Sequence, residues 1–237
     1  MVDKFKYAGQ ELELFSKAKN WKSYWASRVS GYIGQSILEV GSGIGSNTKL
    51  FEHFNFKKWV CLEPDPYLAD QLTSSISKNL SGDRYIAVNG FIHSLPKDCS
   101  FDTILYIDVL EHIRSAKDEL DHAGRYLSKG GHIIIILPAH SWLFSDFDRA
   151  IGHYQRYNIN MLKKIVPRNM TLLKTEYLDS MGVMASIFNR FFLKQDIPSK
   201  NQIKHWDSII VPCSRFFDRL IHFSLGKSLL GILQYNN

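Results

Sequence analysis

The chain has 237 residues and carries 29 lysines and arginines against 23 acids, a formal net charge of +6. Its 45% hydrophobic and 22% charged residues match globular usage and exclude collagen, coiled coil and wholesale disorder. Cys61, Cys99 and Cys213 are odd in number and form no CxxC pair, which argues against a disulfide scaffold, a zinc ribbon and a redox dithiol. The longest apolar run, Ile133 to Leu137, is far shorter than the roughly 20 residues of a spanning helix. Met1 to Leu14 mixes charges into its apolar residues, so no signal peptide is expected and the protein reads as cytoplasmic. The basic residues are scattered among acids with no run of five, so nucleic acid is not the expected partner.

Residues 10 to 30 predict an amphipathic helix, with Leu14, Ala18, Trp21, Trp25 and Val29 at helical spacing. Ser36 to Val40 reads as a buried strand, Lys49 to Phe56 as a short helix and Trp59 to Leu62 as a second strand. Asp65-Pro66 opens a helix whose apolar face is Leu68, Leu72, Ile76 and Leu80. Tyr85 to Val88 and Phe101 to Ile107 read as further strands. Ser115 and Asp118 have capping-box spacing before a helix with Ala116, Leu120, Ala123 and Leu127 on one face, which Gly130-Gly131 is expected to end. His132 to Leu137 is apolar almost throughout, as a strand covered on both faces requires. This alternation predicts an α/β fold, a doubly wound, mostly parallel sheet. Residues 139 to 168 show no clear period. Met170 to Leu178 and Ser228 to Tyr235 read as strands, and 182 to 223 as helical with a polar break near Asp196 to Asn201.

The sharpest local signal is Glu39-Val40-Gly41-Ser42-Gly43-Ile44-Gly45, between a predicted strand and a predicted helix. Glycines there permit a tight turn and close approach of a ligand. Glu63 follows Gly45 by 18 residues, at the end of the second strand, where a carboxylate meets a ribose. Together they favour an adenosine-containing cofactor. A dinucleotide fingerprint would place its third glycine at position 46, which is Ser, and no Gly-Lys-Ser/Thr follows the loop as a Walker motif requires.

These blocks resemble the class I S-adenosylmethionine-dependent methyltransferases. Ile37 to Gly45 resembles the family's first motif and Leu62-Glu63-Pro64-Asp65 its second. Phe101 to His112, ending Val-Leu-Glu-His, resembles the fourth-strand motif, and Leu127 to Ile135 the block leading into the fifth strand. The resemblance spans residues 30 to 140 and implies a Rossmann-like seven-stranded sheet with the last strand antiparallel and with helical inserts. It implies S-adenosylmethionine as cofactor, held by Glu39, Gly41, Ser42, Gly43, Gly45, Glu63, Pro64, Asp108 and Val109. Phe91 stands where many relatives place an acid that bonds the adenine amino group. Asp148 to Tyr157 and Gly226 to Leu230 are similar to a bacterial subgroup that accompanies glycosyltransferases in surface-polysaccharide gene sets.

The expected organisation is one domain: a helical cap (1–32), a cofactor core (33–138), a substrate lid and helical insert (139–223) and a last strand (224–237). Methyl transfer from a sulfonium needs near-attack geometry and exclusion of water, with a base if the acceptor is a hydroxyl. Within the aromatic insert His153 is the expected base, and His140, Arg156 and Tyr157 are expected to bind the acceptor, with Arg156 pairing Asp146 or Asp148 as the competing reading. His112 is a further candidate; the spacing of the three histidines gives no metal signature, and no metal is expected. The expected acceptor is a small molecule: a sugar, a lipid-linked sugar or a quinol-like compound. The apolar, basic stretch from Phe188 to Phe223 allows contact with a membrane surface. Alternatives are an NAD-dependent oxidoreductase or epimerase, and a non-catalytic cofactor-binding partner of a glycosyltransferase.

Overall fold

A computed structural model describes residues 6–7, 9, 11–79, 83–188 and 198–236. Its centre is a seven-stranded sheet of β1 (Ser36–Val40), β2 (Lys58–Glu63), β3 (Tyr85–Asn89), β4 (Phe101–Ile107), β5 (Leu127–Pro138), β6 (Met170–Leu178) and β7 (Ser228–Tyr235). The spatial order is β3-β2-β1-β4-β5-β7-β6. β7 runs antiparallel to both neighbours, and the remaining pairs are parallel. This is the Rossmann-like class I sheet that the motifs imply. The strand order reverses between β1 and β4, and open α/β sheets bind ligands outside the carboxyl ends of the strands at such a point.

Both faces of the sheet are covered, which explains the unbroken apolar strands. Leu38, Val60, Ile104, Ile133 and Ile135 face one way, against α4 (Ala116–Ala123) and α6 (Ile159–Ile165). Ile37, Trp59, Leu105, Ile134 and Ile136 face the other, against α2 (Lys19–Val29), α3 (Pro66–Asn79) and α9 (Val211–Leu220). The α3 start is as expected: Asp65 Oδ1 accepts from the backbone N–H of Tyr67 at 2.8 Å and Leu68 at 3.2 Å.

Several expectations are corrected. The helix over 10 to 30 is broken into α1 (Leu12–Phe15) and α2. Asp207 caps α2 from a distant π turn (Trp206–Ile210), accepting from the N–H of Asn20 and Trp21 at 3.2 and 2.9 Å. Lys49 to Phe56 forms only a 3₁₀ turn, Thr48–Phe51. The rings of Phe51 and Phe56 both pack on Trp59, with centroids 5.3 Å away. A helix would send residues five apart to different faces.

Gly130-Gly131 do not end α4. The helix stops at Ala123, a 3₁₀ turn (Gly124–Tyr126) follows, and the glycines lie inside β5 beside a register shift opposite Phe101 and Thr103. A Cβ at Gly131 would stand 2.9 Å from the Ser128 carbonyl oxygen and 3.0 Å from that of Asp102, so the bulge favours glycine. Ser115 bonds the Asp118 side chain rather than closing a capping box on the backbone.

The insert is more regular than its sequence suggests: a 3₁₀ turn at Ser141–Leu143, then α5 (Asp146–Ala150) and α6. The helical region from 182 becomes α7 (Ser180–Phe188), α8 (Lys200–His205), the π turn and α9. Leu80, Arg190, Phe191, Phe192, Lys194 and Asp196 lie outside the described residues. Among the described residues no helix is long and apolar enough to cross a membrane.

Candidate active site

A cavity of about 550 Å³ opens at the carboxyl ends of the strands. That size suits a small-molecule site. Its floor is Val40 to Ile44 after β1, Glu63-Pro64 after β2, Gly90 to His93 after β3 and Ile107 to Val109 after β4.

The glycine loop is built for this floor. Gly41, Gly43 and Gly45 have φ of 67°, 54° and 75°, a region that side-chained residues avoid. A Cβ at Gly41 would stand 2.6 Å from Val109, and one at Gly45 would stand 2.7 Å from Leu72. Both glycines let the loop lie tight against its neighbours. Glu63 accepts from the N–H of Gly43 at 2.8 Å and of Asp65 at 2.9 Å. Burial pushes its carboxyl up, and the two N–H groups pull it back. Each oxygen keeps a lone pair for a diol. The loop, the acid and the open space over them fit the adenosine and sulfonium parts of S-adenosylmethionine.

Glu39 and Gly45 do not line the cavity. Glu39 is buried beneath the loop, accepting from Thr48 Oγ1 at 2.6 Å and Trp59 Nε1 at 3.1 Å, and burial pushes its carboxyl up to about 7. It braces the turn from beneath rather than lining the cavity. Asp108, with φ of 54°, does line the cavity beside Val109, and burial pushes its carboxyl up to about 6.

At the far end stand Glu111, His112, Asp148, His153 and Arg156. His153 Nδ1 lies 2.8 Å from Asp148 Oδ1, and its Nε2 lies 3.7 Å from Glu111 Oε1. Arg156 grips the same Asp148 in two bonds of 2.9 Å. Burial pushes Asp148 up, but His153 and Arg156 overcome it and hold the carboxyl well below its usual range. Burial raises Glu111, and the neighbouring Asp108 adds to it. Burial and the neighbouring His153 push His112 down to about 4.

The insert expectation is thus corrected in three places. Arg156 is buried and spent on Asp148, so its fork is not free for an acceptor, and the pair is internal rather than superficial. Tyr157 is wholly buried away from the cavity, with its hydroxyl 3.3 Å from the Leu110 carbonyl. His140, at φ 63°, turns its ring onto Tyr177 at 4.6 Å and also misses the cavity.

Sequence reasoning missed much of the roof. Tyr7, Glu11, Leu12, Phe15, Trp21, Lys22 and Trp25 cover the cavity from the N-terminal side, with Phe147 and Trp206 beside them. The Tyr7 N–H donates to Asp65 at 2.7 Å, which ties this cover to the start of α3. Burial lowers Lys22 to about 8, and its ammonium reaches the Ser46 carbonyl at 3.1 Å. The Trp21 and Trp25 pair in the helical stripe was the available signal, but it reads equally as core.

Comparison with known proteins agrees with this geometry. The chain matches the family model described as a methyltransferase domain over residues 6–200. It is 28% identical over 138 residues to the thiol S-methyltransferase TMT1B of Homo sapiens, covering 54% of this chain and 56% of that protein. The chain thus spans about half the length of that relative. Among solved structures, a Haloferax volcanii protein in complex with the Trm112 methyltransferase activator superposes with a TM-score of 0.63 at 12% identity, covering 97% of this chain and 98% of that one. The N-methyltransferase NodS of Bradyrhizobium japonicum, solved with S-adenosyl-L-homocysteine, gives 0.59 at 12% identity, covering 94% and 88%. The oxidoreductase alternative falls with the family match: the chain belongs to the methyltransferase-domain family, and its cofactor is S-adenosylmethionine.

Proposed function

We propose that the chain transfers a methyl group from S-adenosylmethionine to a hydroxyl of a small molecule. One observation carries the reading. A single cavity joins the glycine loop and Glu63 at one end to the Asp148–His153 pair and Glu111 at the other, under an aromatic roof. When bound, the cofactor supplies an activated methyl group on sulfur.

The chain's own residues do the rest. Gly41 to Gly43 and Glu63 hold the adenosine part, with Phe91 and Ile92 beside the base in place of an acid. Phe15, Trp21, Trp25 and Trp206 exclude water from the transfer path. Asp148 orients the His153 ring through Nδ1, which leaves Nε2, beside Glu111 at the far end of the cavity, to act on the acceptor's hydroxyl. This built acceptor end supports turnover over a purely cofactor-binding role.

A sugar or lipid-linked sugar is the favoured acceptor, in line with the resemblance of Asp148 to Tyr157 to polysaccharide-associated proteins. The lipid-linked form gains support from Phe216, Phe217 and Leu220, exposed on α9 beside Arg219. Labelled cofactor incubated with extract of the source cell, followed by mass spectrometry, tests the reading. A product labelled on oxygen is expected. His153→Ala should lower its formation about 10²-fold or more while S-adenosylhomocysteine affinity stays the same. Wild-type turnover in that variant would remove His153 from the chemistry.

A further inference from the structure

Glu111 is wholly buried, yet neither of its carboxylate oxygens has a hydrogen-bond partner among the described residues. Buried carboxylates are ordinarily paired or bound to a metal. Its Oε1 stands 3.7 Å from His153 Nε2, too far for a hydrogen bond. One donor atom from each of Glu111, His112 and His153 lies within 4.8 Å of the others. Donors around an ion held at about 2.1 Å stand roughly 3–4.2 Å apart, so small side-chain shifts suffice to enclose one.

The His153 ring is already oriented as a ligand. His153 spends Nδ1 on Asp148, which Arg156 clamps in turn, and so leaves Nε2 toward Glu111. The His112 ring stands edge-on to the His153 ring, with its centroid 4.6 Å from that of His153. Metal-bound histidines characteristically give the far ring N–H to a carboxylate or a backbone carbonyl. A simple ion pair between His153 and Glu111 would leave the second Glu111 oxygen and the approach of His112 without explanation.

We propose that Glu111, His112 and His153 bind a divalent first-row transition-metal ion whose open positions face the cavity. Two imidazoles and one carboxylate suit zinc, cobalt, iron(II) or manganese. All three residues line the cavity, so an acceptor's oxygen can reach the ion. On that arrangement, which rests on the methyl-transfer reading, His153 Nε2 acts on the acceptor's hydroxyl through the ion it helps to hold. The hydroxyl proton leaves to solvent as the oxygen binds, because coordination lowers its pKa.

Metal binding is tested apart from methyl transfer. The full chain is stripped with a chelator and titrated with Co²⁺, followed by visible absorption and by calorimetry. One Co²⁺ per chain is expected. Glu111→Gln, His112→Ala and His153→Ala should each weaken it about tenfold or more, the range seen on losing ligands or their partners. Melting curves and S-adenosylhomocysteine binding check that each variant is folded. His112→Ala, at a half-buried position, provides a test should Glu111→Gln fail to fold. A wild-type chain that binds none of Co²⁺, Mn²⁺ and Zn²⁺, or folded variants that bind as the wild type does, would overturn the proposal. Failure of the wild type to bind S-adenosylhomocysteine would instead count against the cofactor site and leave the metal result standing.

Discussion

Glu39 shows how a motif residue can matter without lining the cavity. Its Oε2 is shared by Thr48 and Trp59, while burial raises the carboxyl from 4.5 to about 7. The folded chain keeps a proton there that the unfolded chain has lost. This contribution to stability is therefore fully present below about pH 4.5 and lost as pH rises through about 7. Glu39→Gln removes the titration, so melting curves of wild type and variant should diverge over that window, with the wild type losing ground as pH rises. A constant difference would show that the proton is not held. Glu63 makes the opposite case, because it faces the cavity. Glu63→Ala should weaken S-adenosylhomocysteine binding by roughly 1–3 kcal/mol, the scale of lost charge-assisted hydrogen bonds. Unchanged affinity in calorimetry would take the ribose away from this position.

At the scale of elements, the cover over the sheet is held by buried acids that cap helices across long sequence distances. Asp218, on α9, accepts from the N–H of Asp179 at 2.7 Å and Ser180 at 2.9 Å, and so caps α7. It also accepts from the Tyr24 hydroxyl on α2 at 2.7 Å. Asp207 does the same for α2 itself. Each acid satisfies donors that a helix start leaves free. Asp218→Ala should lower unfolding stability by about 1–3 kcal/mol, since it strands buried donors as well as removing a cap. Urea titration measures this; a loss within error would mean that water replaces the carboxylate.

At the scale of the whole molecule, the cavity closes between elements that are far apart in sequence: the N-terminal cover, the strand ends, α5 and the π turn. Trp21, Trp25 and Trp206 all line it. S-adenosylhomocysteine should therefore change the tryptophan emission and raise the melting temperature, by mass action about 2.7 kcal/mol at a hundredfold excess over Kd. NAD should do neither. A response to NAD alone would contradict the cofactor assignment.

The sheet and its loop were legible because their causes are local. Continuous apolar strands, a glycine turn and an acid at a strand end are written in neighbouring residues, and they suffice to specify a doubly wound sheet and its cofactor floor. What only the tertiary structure decided is the far end of the cavity. The sequence leaves Arg156 and Tyr157 available to an acceptor, with Asp146 or Asp148 as the rival partner of Arg156, and in the fold Asp148 and the packed core claim them, because a buried charge or hydroxyl must find a partner. His140 points away because a left-handed backbone turns it onto Tyr177. Conversely, Glu111 and His112 sit together in the fourth-strand motif, where His112 is a candidate by itself, and it is the return of the chain through α5 that brings His153 against them. Periodicity records which face of an element is buried; it does not record which distant side chain arrives to meet it.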